Sequence, residues 1–151
     1  MTATALWRRL DAPGHDAAIL RRTRRGWSLT GTAVFLAAEG PACLAYAVDL
    51  DAGWRTRQGR VRGFAGRRRL DHRILRTGGG WSLDGVPVPG LGHLVDLDYS
   101  FTPATNLQQL RRVAPAVGAA VDIPVAWFDI GRPLTELPQR YERRGETSFW
   151  Y

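Results

Sequence analysis

Ile19-Leu20-Arg21-Arg22-Thr23-Arg24-Arg25-Gly26-Trp27-Ser28-Leu29-Thr30-Gly31 reads as a β-hairpin. Two short runs of strand-forming residues flank a polar turn that closes on glycine. The motif returns further along the chain as Ile74-Leu75-Arg76-Thr77-Gly78-Gly79-Gly80-Trp81-Ser82-Leu83-Asp84-Gly85, one residue shorter. There, Gly78-Gly79-Gly80 supplies the positive φ angles that a tight hairpin turn needs. Each copy sets a Trp directly after its turn, at the start of the returning strand.

Outward from these hairpins the same texture continues. Ala33 to Leu36, Leu44 to Asp49 and Trp54 to Phe64 are strand-like, and in the last Arg55, Arg57, Arg60 and Arg62 alternate with smaller or apolar residues for most of the run. Val121 to Phe128 alternates with Val121, Ile123, Val125 and Trp127 inward. Pro124 cannot donate to a ladder, which puts this strand at an edge or on a bulge. Leu134 to Tyr141 and Thr147 to Tyr151 complete the expected strands. Turn signals at Asp11 to Gly14, Asp51 to Gly53, Gly78 to Gly80, Pro87 to Gly92 and Gly131 to Pro133 recur about every 8–12 residues, the spacing of an all-β fold. Pro103 to Val113 is the one helix candidate. Thr102 and Thr105 offer cap chemistry there, and Leu107, Leu110 and Val113 fall at three-residue spacing, yet the segment is read as a turn plus a strand. The expectation is a single domain over residues 1–151, all-β and mainly antiparallel. It is a large, strongly curved sheet or incomplete barrel with at most one or two short helices.

Composition narrows the function classes. With 44% hydrophobic and 23% charged residues, the chain can build an ordinary globular core,. No apolar run approaches the roughly 20 residues of a membrane helix, so no membrane span is expected. Trp7-Arg8-Arg9 is followed by no apolar stretch or cleavage site, so no signal peptide is expected and the cytoplasm is the expected location. The single cysteine, Cys43, excludes an intrachain disulfide and reads as a small buried hydrophobe,. All 21 cationic side chains are Arg, and the net charge is +7. Codon usage in a GC-rich genome and an anion-binding surface both account for that. No nucleic-acid fold signature accompanies the charge, so no specific nucleic-acid partner is expected.

The chemistry concentrates in Val95-Asp96-Leu97-Asp98-Tyr99-Ser100-Phe101-Thr102. Alternation places Val95, Leu97, Tyr99 and Phe101 on one face and Asp96, Asp98, Ser100 and Thr102 on the other. Two like charges at i and i+2 repel, and Asp is a poor strand former. Three arrangements answer that cost. The carboxylates can pair with Arg111 or Arg112 across a hairpin turned at Thr102 to Asn106. They can accept hydrogen bonds from sugar hydroxyls or hold a cationic headgroup, or they can act as an acid/base pair in hydrolysis. Thr102-Pro103-Ala104-Thr105-Asn106 is turn chemistry and forms a polar rim beside them. Trp27, Trp54, Trp81 and Trp127 lie on expected strands. A Trp is core by default, but its flat apolar face and single donor suit a sugar ring, so at least one of Trp27, Trp54 and Trp81 is expected to line any cavity. Gln139 and Tyr141 share a strand face, placed to bond the same neighbour. His15, His72 and His93 have no ligand spacing, and no phosphate loop, dinucleotide fingerprint or Gly-x-Ser-x-Gly occurs. No metal, cofactor or nucleophile is expected, and the chain reads as a binder rather than an enzyme.

Asp96-x-Asp98, Thr102-Pro103-x-Thr105-Asn106 and Arg111-Arg112 resemble the hallmark of a bacterial family named for glycolipid binding. Trp7, Gly26-Trp27, Leu29-x-Gly31, Tyr46-x-Val48-Asp49, Trp54-Arg55-Thr56-Arg57 and Gln139-x-Tyr141 follow the same order, so the resemblance spans nearly the whole chain. It implies a fold similar to bacterial lipoprotein-carrier proteins, an incomplete barrel whose concave apolar face can hold an acyl chain. It further implies non-enzymatic binding of an amphiphilic, glycolipid-like small molecule. The candidate ligand-binding residues are Asp96, Asp98, Thr102, Thr105, Asn106, Arg111, Trp27, Trp54, Trp81, Gln139 and Tyr141. A hydrolase acting on a sugar or polar ester through Asp96 and Asp98, and an Arg-rich anion or nucleic-acid module, are the alternatives. The last is tested by filter binding from about 50 to about 200 mM salt, where a dispersed arginine set should lose DNA and RNA by the upper end. Sub-micromolar affinity retained there would instead establish a nucleic-acid surface.

Overall fold

The computed structural model describes residues 2–151. Thr23 and Gly26 pair across the first hairpin turn, leaving Arg24 and Arg25 at its tip. Gly26 holds φ 141, and a side chain there would strike the backbone of Leu50 and Asp51. Only glycine lets the turn press so closely onto the end of a neighbouring strand.

Eight strands follow one another as an antiparallel meander: β1 (Thr2–Arg8), β2 (Gly14–Thr23), β3 (Gly26–Ala37), β4 (Gly40–Leu50), β5 (Thr56–Ala65), β6 (Arg68–Thr77), β7 (Gly80–Leu83) and β8 (Val86–Val88). The sheet is curved but does not close into a barrel. Period-two alternation decides its faces. Leu44, Tyr46, Val48 and Leu50 of β4 and Val61 of β5 point inward and are buried, while Ala45, Arg60 and Arg62 face out.

The rest of the chain folds back onto the inner face. β9 (Leu97–Tyr99) leads through a 3-10 turn (Pro103–Thr105) into α1 (Asn106–Val113). Then come β10 (Ala120–Asp122), β11 (Val125–Phe128), β12 (Thr135–Leu137), β13 (Arg140–Arg143) and β14 (Phe149–Trp150). They make two small sheets, ordered β12-β11-β9 and β10-β13-β14, with β9 and β11 parallel. Tyr99 and Phe101 stack at 5.3 Å and meet Tyr46 edge-on at 6.0 Å each. The Tyr99 hydroxyl donates to the Ala47 carbonyl at 3.1 Å. The trough of the sheet is therefore filled by the chain's own aromatic residues.

Several expectations need correction. Pro103 to Val113 is helical, not a turn plus strand, and the buried residues of α1 are Gln108 and Gln109 rather than the leucines. Both faces of the 96–99 segment are buried, because a second layer covers the carboxylate side. Val121 to Phe128 is two strands in different sheets, broken at Ile123-Pro124. Ala126 and Phe128 join the main core there, and Trp127 does not. Leu134 to Tyr141 divides similarly around Pro138. Trp54 sits in the loop before β5 with φ 67, not on a strand. Cys43 is only half-buried, on the outer face of β4. No helix among the described residues is long and apolar enough to cross a membrane.

Gly59 sits where the two layers touch, and an added Cβ would overlap the Leu97 side chain and the Tyr99 hydroxyl. Gly59→Ala is expected to lower stability by about 1–3 kcal/mol through overpacking, read as a lower urea midpoint. An unchanged midpoint would contradict this seating of β9 on β5.

Candidate functional site

Three carboxylates are buried between the layers: Asp16, Asp96 and Asp98, exposed by 3%, 0% and 3%. Each is answered differently. Asp96 takes Arg112 of α1, whose Nη2 donates at 2.5 Å and Nε at 3.1 Å. Burial still raises the Asp96 carboxyl above its ordinary range, with the guanidinium opposing. Asp16, in β2, forms no ion pair among the described residues. The Tyr46 hydroxyl donates to it at 3.0 Å, the Thr102 hydroxyl bonds it closely, and burial raises its pKa.

Asp98 is held by neutral donors alone, with a second carboxylate, Asp96, acting on it. Its Oδ1 accepts from the Thr105 hydroxyl at 2.5 Å and its Oδ2 from Gln139 Nε2 at 2.8 Å. Burial pushes its pKa up to about 6; the two donors work against the shift and Asp96 adds to it. Gln139 spreads the network, giving its other donor to the Tyr151 hydroxyl at 2.9 Å. Its Oε1 accepts from the Tyr141 hydroxyl at 3.0 Å, and that hydroxyl also lies against Gln109 of α1. A helix burying glutamines makes sense beside such a belt. Gln108 Nε2 likewise donates to the Leu97 carbonyl at 2.5 Å.

Asp98 and Thr102 form the floor of a cleft of about 430 Å³ that opens to the surface. Asn106 and Pro103 contribute the 3-10 turn side, Trp127 and Tyr151 an aromatic wall, and Arg9 and Asp11 the rim. Arg9 and Asp11 pair at 2.7 Å, which holds the exposed Asp11 carboxyl down at about 2. A second cavity of about 310 Å³ adjoins the first and shares Arg9, Ser100 and Phe101 with it. Phe35, Ala37, Ala65 and Ile130 line part of this one, and Glu39, Arg68 and Asp129 give it a charged edge.

The structure thus brings Asp98, Thr102, Thr105, Asn106, Gln139 and Tyr141 into one neighbourhood. Asp96 is sealed beneath it, and Arg112 rather than Arg111 holds Asp96, Arg111 being exposed. Trp81 is core, donating its indole N–H to Leu94 at 3.2 Å. Trp27 and Trp54 stack on each other at 4.5 Å by the β2–β3 turn, and Trp27 lines a separate cavity there. Sequence reasoning passed over Asp16, Tyr46, Gln108, Gln109 and Tyr151 as members of the site, and Trp127 as cleft lining. An inward Asp within the Ala18-Leu20 face of β2 was the available signal for Asp16.

A family profile described as "Putative glycolipid-binding" matches residues 4–151. The fold is shared with the crystal structure of a DUF1089 family protein from Pseudomonas aeruginosa, at TM-score 0.75 and 22% identity, covering 96% of this chain and 79% of that one. No curated protein matches.

The Asp98 pKa carries a stability consequence. A carboxyl whose pKa is raised from an ordinary ~3.9 to about 6 on folding favours the folded state in its protonated form,. That contribution is complete below about pH 4 and is lost as pH rises through about 6. Between about pH 4 and 7 the protein is expected to lose up to about 3 kcal/mol more stability than Asp98→Asn, measured by urea unfolding. Equal pH slopes for the two proteins would mean that Asp98 titrates like an exposed carboxyl.

Proposed function

The chain belongs to this glycolipid-binding family, and from that premise we propose that it holds, without cleaving, an amphiphile whose sugar headgroup occupies the cleft over Asp98. The observation that carries the reading is that two cavities adjoin through Arg9, Ser100 and Phe101, one over Asp98 and Asn106 and the other beside Phe35 and Ile130. In the lobe over Asp98, Asp98 and Asn106 can accept and donate to sugar hydroxyls, and Trp127 and Tyr151 offer flat apolar faces. Their volumes, about 430 and 310 Å³, lie in the range of small-molecule sites. Phe35 and Ile130 in the second lobe suit the start of an acyl chain. The ligand is placed at the rim of the concave face, since β9 and Phe101 fill its middle.

Hydrolysis by a carboxylate pair fits the geometry less well. It would need Asp96 beside Asp98 at the cleft, and Asp96 is instead fully buried and bound twice by Arg112. A glycolipid panel with neutral and anionic headgroups, titrated against Trp fluorescence, tests the reading. Saturable binding of about micromolar strength without turnover is expected, weakened roughly three- to tenfold by Asn106→Ala or Tyr151→Ala. Binding of no headgroup, release of product, or indifference to both substitutions would overturn it.

A further inference from the structure

At the opposite end of β2 from the sugar cleft lies a larger cavity of about 590 Å³. Arg24 and Arg25 from the β2–β3 turn, Arg57 from β5 and Arg76 from β6 stand in its wall, against a single carboxylate, Asp49. The backbone sets each cation there. Gly26 presses the Arg24-Arg25 turn onto the end of β4. Arg57 is the extra residue of a β-bulge: Leu50 pairs Thr56 while Asp49 pairs Gln58, so Arg57 has no partner across the ladder. Bulges of this kind re-aim a side chain and gather at functional sites. Arg76 is tethered by its Nε, which donates to the Leu94 carbonyl at 3.0 Å and leaves both terminal amino groups free to donate,.

Charge from within answers these arginines only in part: Asp49 stands in the wall, and Arg76 acts on the buried Asp96 carboxylate. Among the described residues, none of the four arginines forms an ion pair. Asp49 already accepts from Gln58 Nε2 at 2.5 Å. Like charges gathered around a concave wall repel one another and concentrate counter-ions of opposite sign. Guanidinium forks match oxyanions that offer several acceptor oxygens at once. We propose that this cavity is a binding site for a phosphate-class oxyanion, free or carried by a headgroup. It is independent of the sugar cleft and shares no lining residue with it.

Trp27 in the wall supplies the reporter. The full chain is titrated with inorganic phosphate at constant ionic strength, and separately with phosphatidic acid and phosphatidylcholine vesicles. Phosphate is expected to change Trp27 emission saturably, with Arg57→Gln weakening the response about tenfold or more and Arg67→Gln, in a distant turn, leaving it unchanged. Silence toward phosphate with Arg57-dependent binding to phosphatidic acid vesicles alone assigns the same site to a lipid-borne phosphate. No saturation with either source overturns the proposal. So does equal loss from Arg67→Gln, which would mean diffuse charge, or binding of duplex DNA alone that ignores Arg57→Gln. Circular dichroism of each variant confirms that these exposed substitutions leave the fold intact.

Discussion

Three carboxylates are held out of water between two layers, and among the described residues only Asp96 is ion-paired, with Arg112. Taking a charge out of water costs several kcal/mol unless hydrogen bonds and counter-charge answer it. Much of the C-terminal half of the chain follows from that constraint. Arg112 answers Asp96 and so fixes the roll of α1. Thr105 and Gln139 answer Asp98, tying the 3-10 turn and the start of β13 to β9. Tyr46 and Thr102 answer Asp16, joining the large sheet to the covering layer. The hydrogen bonds that satisfy the charges are the same ones that keep the layer closed over the trough.

An all-apolar interface would close the trough with less difficulty, since replacing buried ion pairs by packed hydrophobes is often neutral or stabilising. What the polar belt adds is a chemically capable floor. Asp98 keeps lone pairs to spare after Thr105 and Gln139 are counted, and it sits under an aromatic wall that a sugar ring can stack on,. The arginine-walled cavity at the far end of β2 uses different means, charge placed by turns and a bulge, and stands apart from this economy.

Much of the sheet was legible because its signals are local. Gly26 and Gly78 to Gly80 mark turns that hold positive φ at Gly26, Gly78 and Gly79, and alternation along β4 fixes which residues face inward. The covering layer was harder to read for reasons specific to it. The alternation from Val95 to Thr102 is real, but its polar face meets a second layer instead of water, so the pattern of a half-exposed strand describes a segment buried on both sides. α1 hides Gln108 and Gln109 and leaves Leu107 and Leu110 only partly buried, reversing the rule by which helices are recognised,. Its interior-facing neighbours are polar, and that is a tertiary fact no window of sequence contains. Pro124 and Pro138 each mark a break between short strands; one proline in a run was read as an edge, and the chain uses both to change sheets.

In the proposed reading Asp98, a buried carboxylate, turns its free lone pairs to ligand hydroxyls,. Its titration can be followed directly through the side-chain carboxyl ¹³C resonance, with and without a saturating glycolipid. The account predicts a pKa of about 6 in the free protein, falling on binding because added donors favour the charged form. A free-protein value near the ordinary carboxyl range, or one that ligand leaves in place, would contradict it.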